Sequence, residues 1–147
     1  MTDLGDFARL VPAEHGLCVV STLRADGTIQ SSVVNAGVLQ HPATGRQVVG
    51  VVAGGGSRKL TNLRRRPRAT VVVRTGGQWV AAEGPVQLIG PDDPAPGFDA
   101  EGLRLLLRAV FTAAGGTHDD WSTYDRVMAE ERRTAVLVDP DRVYSNG

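Results

Sequence analysis

The chain has 147 residues, with sixteen basic and sixteen acidic side chains and a formal net charge of zero. This length predicts one domain, residues 1–147, with its own hydrophobic core, and the neutral balance gives no field that would attract nucleic acid. A single cysteine, Cys18, excludes an internal disulfide and a cysteine-rich metal site. The chain shows neither a signal-peptide pattern nor an apolar run near the ~20 residues of a membrane span, which predicts a cytoplasmic protein without membrane contact.

The first third of the chain predicts one short helix followed by strands. The helix lies within Asp3–His15, where apolar residues recur at helical spacing before Pro12. Asp26-Gly27 is a strong hairpin signal between the first two strands. The three strands predicted here are 17–23, 28–39 and 46–53.

The second strand has two unlike faces, because side chains alternate along a strand. One face carries Gln30, Ser32 and Val34, and the other begins with Ile29 and Ser31. A Gln-x-Ser pair beside a buried hairpin is unusual for a plain core. It indicates either a functional face or the solvent-facing side of an antiparallel strand, and the pattern does not separate these two.

The chain is organised around residues 48–70, which predict a strand, a glycine loop, a short basic helix and a second strand. The loop is Gly54-Gly55-Gly56, where glycine lets the backbone turn at no steric cost. The helix spans 58–66, with Ser57 as its N-cap, and Pro67 ends it. The strand 68–74 follows.

A helix that begins after glycines predicts an anion site, because its first N–H groups lack partners and its dipole favours negative charge. Arg58 and Lys59 flank Asn62 at helical spacing. Lys59 is the one lysine beside fifteen arginines, which indicates a place that needs a compact point charge. The alternative is an ordinary solvated basic helix. Neither the P-loop nor the dinucleotide-binding glycine pattern matches.

The second half of the chain predicts one hairpin, two helices and a last strand. The strand 78–89 has a bend at Glu83-Gly84-Pro85 and is followed by helices over 98–114 and 117–131. The strand 134–138 precedes a short tail, 139–147. This order predicts a mainly β protein with peripheral α-helices, namely a six-stranded antiparallel barrel.

Nearly the whole chain resembles the pyridoxamine 5′-phosphate oxidase-like superfamily of split β-barrel flavin and deazaflavin proteins. Within it, the chain is most similar to the F420-dependent oxidoreductase branch of actinobacteria. The most specific segment is SRKLTNLRRRPRATVVV. The other segments are STLRADGTIQSSVV, WVAAEGPVQLI, and HDDWSTYDRVMAEERR with a final RVY.

The resemblance implies an FMN-binding split barrel and a homodimer with a cofactor site at each subunit interface. The acidic tail of the cofactor would lie on the central stretch, with its phosphate on Lys59. The second strand would line the ring, and Trp79 would cover it from the same or the partner subunit. Members of the family often carry arginine where this chain has Ser57. The implied cofactor-binding residues are Lys59, Arg58, Ser57, Asn62, Gln30, Ser32, Val34 and Trp79.

The leading functional hypothesis is an oxidoreductase that transfers hydride between coenzyme F420 and a small organic substrate. The cofactor supplies the chemistry, and the protein supplies binding and orientation. The basic stretch through Arg68 favours the deazaflavin with its acidic tail. FMN is the alternative cofactor, and a cofactor-binding module without turnover is the alternative class. The patch Arg64–Arg68 is too short and too poor in aromatic neighbours to indicate nucleic-acid binding. The sequence identifies no catalytic acid or base and no metal site.

Overall fold

The structure is a computed structural model that describes residues 1–147. The four predicted helices and six predicted strands all form, and the segment predicted as a tail contains a seventh strand. The helices are α1 (Leu4–Leu10), α2 (Arg58–Arg65), α3 (Ala100–Ala113) and α4 (Trp121–Glu130). The strands are β1 (Leu17–Leu23), β2 (Ile29–Gln40), β3 (Gln47–Ala53), β4 (Arg68–Thr75), β5 (Gln78–Ile89), β6 (Thr134–Val138) and β7 (Arg142–Ser145).

Six of the strands close into an antiparallel barrel. Their order is β4-β1-β2-β3-β6-β5, and β5 pairs back to β4. The remaining strand, β7, lies outside this ring and pairs with β5. The predicted fold class, a six-stranded antiparallel barrel with peripheral helices, is therefore confirmed.

The barrel is split because β2 and β5 change partners along their length. The first half of β2 pairs with β1, and the ladder to β3 begins only at Ala36, opposite Val51. In the same way β5 pairs with β4 as far as Pro85 and with β6 from Val86 onward. The wall of the barrel is consequently open between the first half of β2 and the end of β3.

Two hydrophobic cores lie on either side of this wall. The larger fills the barrel and includes Phe7 of α1 and Leu60 of α2, both completely buried. The smaller lies between the sheet and the pair α3 and α4, around Leu106 and Tyr124. Aspartates cap three of the four helices, α1, α3 and α4: in α3, for example, the Asp99 carboxylate accepts from the Gly102 N–H.

Helix α3 packs closely on β2. A Cβ on Gly37 would lie 2.2 Å from the backbone carbonyl of Ala113, so only glycine permits this approach. A similar contact explains the bend in β5, where a Cβ on Gly84 would lie 2.4 Å from the carbonyl oxygen of Asp139. That contact brings the end of the chain alongside β5, where β7 forms. No helix has the length and apolar character needed to cross a membrane.

Candidate functional site

The opening in the barrel wall is lined by the polar face of β2. Gln30, Ser32 and Val34 are half-buried, whereas Ile29, Ser31 and Val33 are exposed, so the predicted alternation is confirmed. The even-numbered residues share a face with Thr22 of β1, which is buried and lies opposite Gln30. The face of β2 singled out from the sequence therefore points into the opening and away from the outer surface.

Helix α2 closes one end of the opening through Asn62. The Asn62 Nδ2 atom donates to Gln30 Oε1 at 3.0 Å and to Thr22 Oγ1 at 3.1 Å. The two contacts fasten α2 to both strands of the first hairpin. They also satisfy the Thr22 hydroxyl, which would otherwise be a buried polar group without a partner. Asn62 thus positions Gln30, in addition to lying near the start of the helix.

The N-terminus of α2 has no protein cap. Ser57 occupies the N-cap position with extended backbone, as predicted, but its side chain makes no capping hydrogen bond. Its Oγ atom is buried and has no partner in the protein. The first turn of α2 contains no acidic residue either. The free N–H groups and this hydroxyl together leave a place for an acceptor from a bound molecule.

The glycines before α2 were expected to let the backbone turn, but the structure shows that they permit close packing. None of its three residues has a positive φ, so conformational freedom is not the requirement. A Cβ on Gly55 would instead lie 2.8 Å from the Cβ of Arg132, and the Gly55 N–H donates to the Glu131 carbonyl oxygen at 3.0 Å. The absence of side chains lets the segment after α4 pack against the start of α2.

Lys59 is a half-buried cation without an ion-pair partner. Burial, and then the neighbouring positive charge of Arg133, lowers the pKa of Lys59 below its ordinary value. The dipole of α2 also opposes a cation at this position. A charge that is disfavoured in three ways in the free protein is typical of a site whose partner is an anion from outside the chain.

The other cations of the basic stretch divide into paired and unpaired groups. Arg64 forms an ion pair with Asp93 at 2.7 Å, and Arg68 forms one with Asp141 at 2.8 Å. The expectation that Arg68 is available to an acidic tail is therefore weakened. Exposed Arg58 and Arg65 form no ion pair, so the positive charge that remains available is concentrated on α2 itself.

Trp79 lies away from the other seven predicted site residues within one chain. It stands opposite Arg74 on the outer side of the sheet, whereas Gln30 points inward. Its ring meets Tyr144 edge-on, with the centroids 6.0 Å apart. We call the surface around it the outer apolar face, formed by Leu17, Val19, Val33, Val72, Trp79 and Tyr144, which border one groove.

Arg133 is a candidate residue that the sequence reasoning missed. It follows α4, and its guanidinium carbon lies 3.8 Å from where a Cβ on Gly54 would be. Its Nε atom donates to Glu131 at 2.8 Å. The residue does fall in a segment that carries the family resemblance, MAEERR, but nothing in that segment indicates contact with the start of α2. We call the set Gln30, Ser32, Val34, Asn62 and Ser57–Lys59 the cofactor groove, after the role that the family resemblance implies for these residues.

His41 and Glu83 both have partners within the protein. His41 is buried, with Nε2 at 2.7 Å from Gln87 Oε1 and with Nδ1 accepting from the Ala43 N–H at 3.0 Å, so its role in the turn is structural. Glu83 receives a hydrogen bond from Thr70 and pairs with Arg142 on the outer side of the sheet. No group of three or more His, Cys, Asp or Glu side chains is arranged to hold a metal ion.

Comparison with known proteins places the chain in a family. Residues 4–146 match the family model described as pyridoxamine 5′-phosphate oxidase. Among solved structures, a conserved hypothetical protein of Mycobacterium tuberculosis is 19% identical with a TM-score of 0.69, covering 99% of this chain and 84% of that one. A pyridoxamine 5′-phosphate oxidase-related, FMN-binding protein of Nostoc punctiforme is 13% identical (TM-score 0.66; 96% and 81%). A structure named F420 reductase is 15% identical (TM-score 0.58; 87% and 88%). At these identities the likenesses show the fold.

Proposed function

The chain belongs to the pyridoxamine 5′-phosphate oxidase family, and we propose that it is an oxidoreductase that binds coenzyme F420 in the cofactor groove and acts on a small organic substrate. The bound deazaflavin supplies the hydride chemistry, and the protein supplies binding, orientation and electrostatics. The observation that carries this proposal is the unpaired, half-buried Lys59 at the uncapped start of α2, beside the unpartnered hydroxyl of Ser57.

The donors at the start of α2 suit a cofactor with an anionic end. Lys59, the Ser57 hydroxyl and the free N–H groups of α2 would hold a phosphate, since each offers a donor and none meets an acidic neighbour. Gln30 and Ser32 would present polar groups to a planar ring, and Asn62 would keep Gln30 in place. The F420 reductase among the structural neighbours supports this choice of cofactor.

FMN is the second candidate, and the ion pairs of the basic stretch favour it. With Arg64 and Arg68 paired, the cations left at the groove are Arg58 and Lys59, fewer than the sequence offers. A single phosphate needs no more than these. The FMN-binding structural neighbour supports this alternative in the same way.

The proposal includes a homodimer assembled through the outer apolar face. Val33 is 65% exposed and Leu17 46% exposed, which is unusual for apolar strand residues that border one groove. In a twofold dimer this face would meet its own copy. A second chain would also bring another Trp79 to this interface, on the side of the first β-hairpin opposite to the cofactor groove.

Titration of the purified protein with each cofactor tests the proposal. We expect protein freed of bound ligand to quench or shift the fluorescence of F420 on binding, and to bind FMN more weakly at the same ionic strength. Turnover is then tested by following the absorbance of reduced F420 with candidate acceptors. Protein that is purified yellow with tightly held FMN, and that ignores F420, would make FMN the cofactor. Binding of neither would reject the proposal.

A further inference from the structure

A separate pocket of about 300 Å³ opens next to the cofactor groove, where the gap in the barrel wall meets α3 and α4. We call it the side pocket. Seven of its nine lining residues are apolar. They include Val34 from the cofactor groove, Val52 from β3, Phe111 from α3, and Tyr124 and Met128 from α4. Its volume is at the lower end of the range for ligand cavities, which suits a molecule of about two fused rings.

The polar groups of the side pocket are few, and most are already in use. The Asn35 amide nitrogen donates to the His15 carbonyl oxygen at 2.8 Å, and the Tyr124 hydroxyl donates to the Leu107 carbonyl oxygen at 3.1 Å. Arg133 also lines the pocket. Its Nε is taken by Glu131, while its two terminal nitrogens make no hydrogen bond within the protein. Arg133 is therefore the lining side chain with donors to offer.

Arg133 is the one charged residue in the lining of the side pocket, and its counter-ion Glu131 lies outside that lining. No aspartate or glutamate lines it. Lys59 and Ser57 do not line it either, so its cation is distinct from those of the cofactor groove. A guanidinium at the edge of an apolar cavity selects a ligand with an apolar body and a planar anionic group.

We propose that the side pocket is the substrate site and that the substrate is a small, flat, largely apolar carboxylate whose anionic group pairs with the terminal nitrogens of Arg133. This rests on the proposed function, because the pocket meets the cofactor groove at Val34. A molecule held between Phe111 and Val34 would lie beside the ring that β2 is proposed to line. Arg133 is then a specificity-determining residue contributed by the segment after α4.

The test uses a pair of probes that differ only in charge, 2-naphthoate and the neutral 2-naphthamide. We expect calorimetry on the F420-loaded protein to give at least about tenfold tighter binding of the carboxylate, the size typical of a hydrogen bond to a charged group. In Arg133→Met this preference disappears while F420 remains bound. In Val52→Phe, which fills the pocket, both probes lose binding.

The matched control is Arg132→Met. Arg132 is the neighbouring arginine, pairs with Asp92, and does not line the side pocket. Its substitution removes the same charge one residue away and is expected to preserve the preference for naphthoate. If Val52→Phe does not fold, Arg133→Met alone still tests whether Arg133 binds the carboxylate, because this substitution leaves the cavity volume nearly unchanged.

The results distinguish failure of the carboxylate site in the side pocket from failure of the proposed cofactor function. Equal binding of the two probes, or an unchanged preference in Arg133→Met, overturns the carboxylate site. Loss of F420 affinity in Arg133→Met, with naphthoate binding intact, also overturns it and assigns Arg133 to the cofactor. If naphthoate binds with the expected preference to a protein that takes up neither F420 nor FMN, the anionic-ligand site is supported and the proposed cofactor function fails.

Discussion

The cofactor groove and the outer apolar face lie on opposite sides of the first β-hairpin, and each departs from the usual distribution of polar and apolar groups. On the inner side Lys59 is half-buried without an acidic partner. On the outer side Val33 is 65% exposed. A buried unpaired charge and an exposed apolar strand both cost free energy in the isolated chain. The two sides therefore differ in what they leave unpaired: a cation on the inner side and apolar side chains on the outer side.

The register of β1 and β2 connects the two regions. Because their side chains alternate, the strand residues that point into the groove are interleaved with those that form the outer face. A substitution on one side therefore leaves the other side intact in principle.

Val33→Glu is expected to prevent dimerisation without removing the cofactor groove. In a twofold interface each substitution is present twice, so two carboxylates would be buried near each other, and like charges at an interface cost several kcal/mol. We expect the dimer to dissociate at least about 100-fold more readily, measured by sedimentation at micromolar concentration. Gln47→Glu is the control, because Gln47 is an exposed strand residue outside the outer apolar face. A dimer of unchanged affinity would assign the interface to another surface.

Lys59→Ala is expected to weaken cofactor binding by about 1.5–3 kcal/mol, the range for a hydrogen bond to a charged group. The melting temperature without cofactor should stay the same or rise slightly, because the dipole of α2 opposes a cation there. Fluorescence titration and thermal melting on one preparation measure both effects. Lys59→Arg should also lose affinity, since the wider guanidinium does not replace a compact ammonium.

The control for Lys59 is Arg65→Ala, an unpaired cation in the last turn of the same helix. It should change affinity less, because it lies away from the uncapped N-terminus. A Lys59→Ala protein that melts several degrees lower and still binds normally would show that Lys59 is structural. The anion site at the start of α2 would then be rejected.

The elements of this fold were predictable because local patterns determine them. The strand 17–23 is set by its apolar run, and α2 is set by the glycines before it and Pro67 after it. The first residue of α2 was predicted correctly and its last was placed one residue too far. The alternation of Gln30, Ser32 and Val34 also needs only the period of a strand. Strand β7 was missed because β5, distant in the sequence, provides its partner.

The site was less predictable because its contacts join distant parts of the chain. Arg64 and Asp93 are 29 residues apart, and Arg68 and Asp141 are 73 apart, so the sequence counted both arginines as available. Arg133 reaches the start of α2 through the close approach at Gly55. A local pattern carries no information on which acidic residue meets which arginine, or on which loop packs against a helix end.

Asn62→Ala is expected to destabilise the protein, in contrast to Lys59→Ala. It removes two hydrogen bonds and leaves the buried Thr22 hydroxyl without a partner, which costs about 1–3 kcal/mol. Urea unfolding measures the loss, with Thr61→Ala, its exposed neighbour on α2, as the control. Equal stability of the two variants would mean that Asn62 does not fasten α2 to the hairpin.

Salt should weaken binding in the cofactor groove and leave association through the outer apolar face unchanged. Contacts between Arg58 or Lys59 and an anionic tail are screened at high ionic strength, so cofactor affinity should fall several-fold between 50 mM and 500 mM salt. Apolar association through the outer face should not weaken over the same range. Calorimetry and sedimentation in matched buffers measure the two. A cofactor affinity that is independent of salt would place the tail away from these cations.

The smallest expected effect is a pH dependence that has opposite signs for stability and for binding. The pKa of Lys59 is lowered in the folded protein below its ordinary value, first by burial and then by Arg133. Between the folded and unfolded pKa values the unfolded chain binds more protons, so the contribution of Lys59 to stability rises with pH in that alkaline window. A bound anion restores the charged form and raises the pKa of Lys59 again. Cofactor affinity should therefore fall as pH rises through the same window, by at most about tenfold per pH unit for one proton.

The measurement compares the pH dependence of cofactor affinity in the wild type with that in Lys59→Met. The difference between the two is the contribution of Lys59, separate from the other groups that titrate in this window. If the two proteins lose affinity in parallel as pH rises, Lys59 does not carry the charge that the cofactor meets.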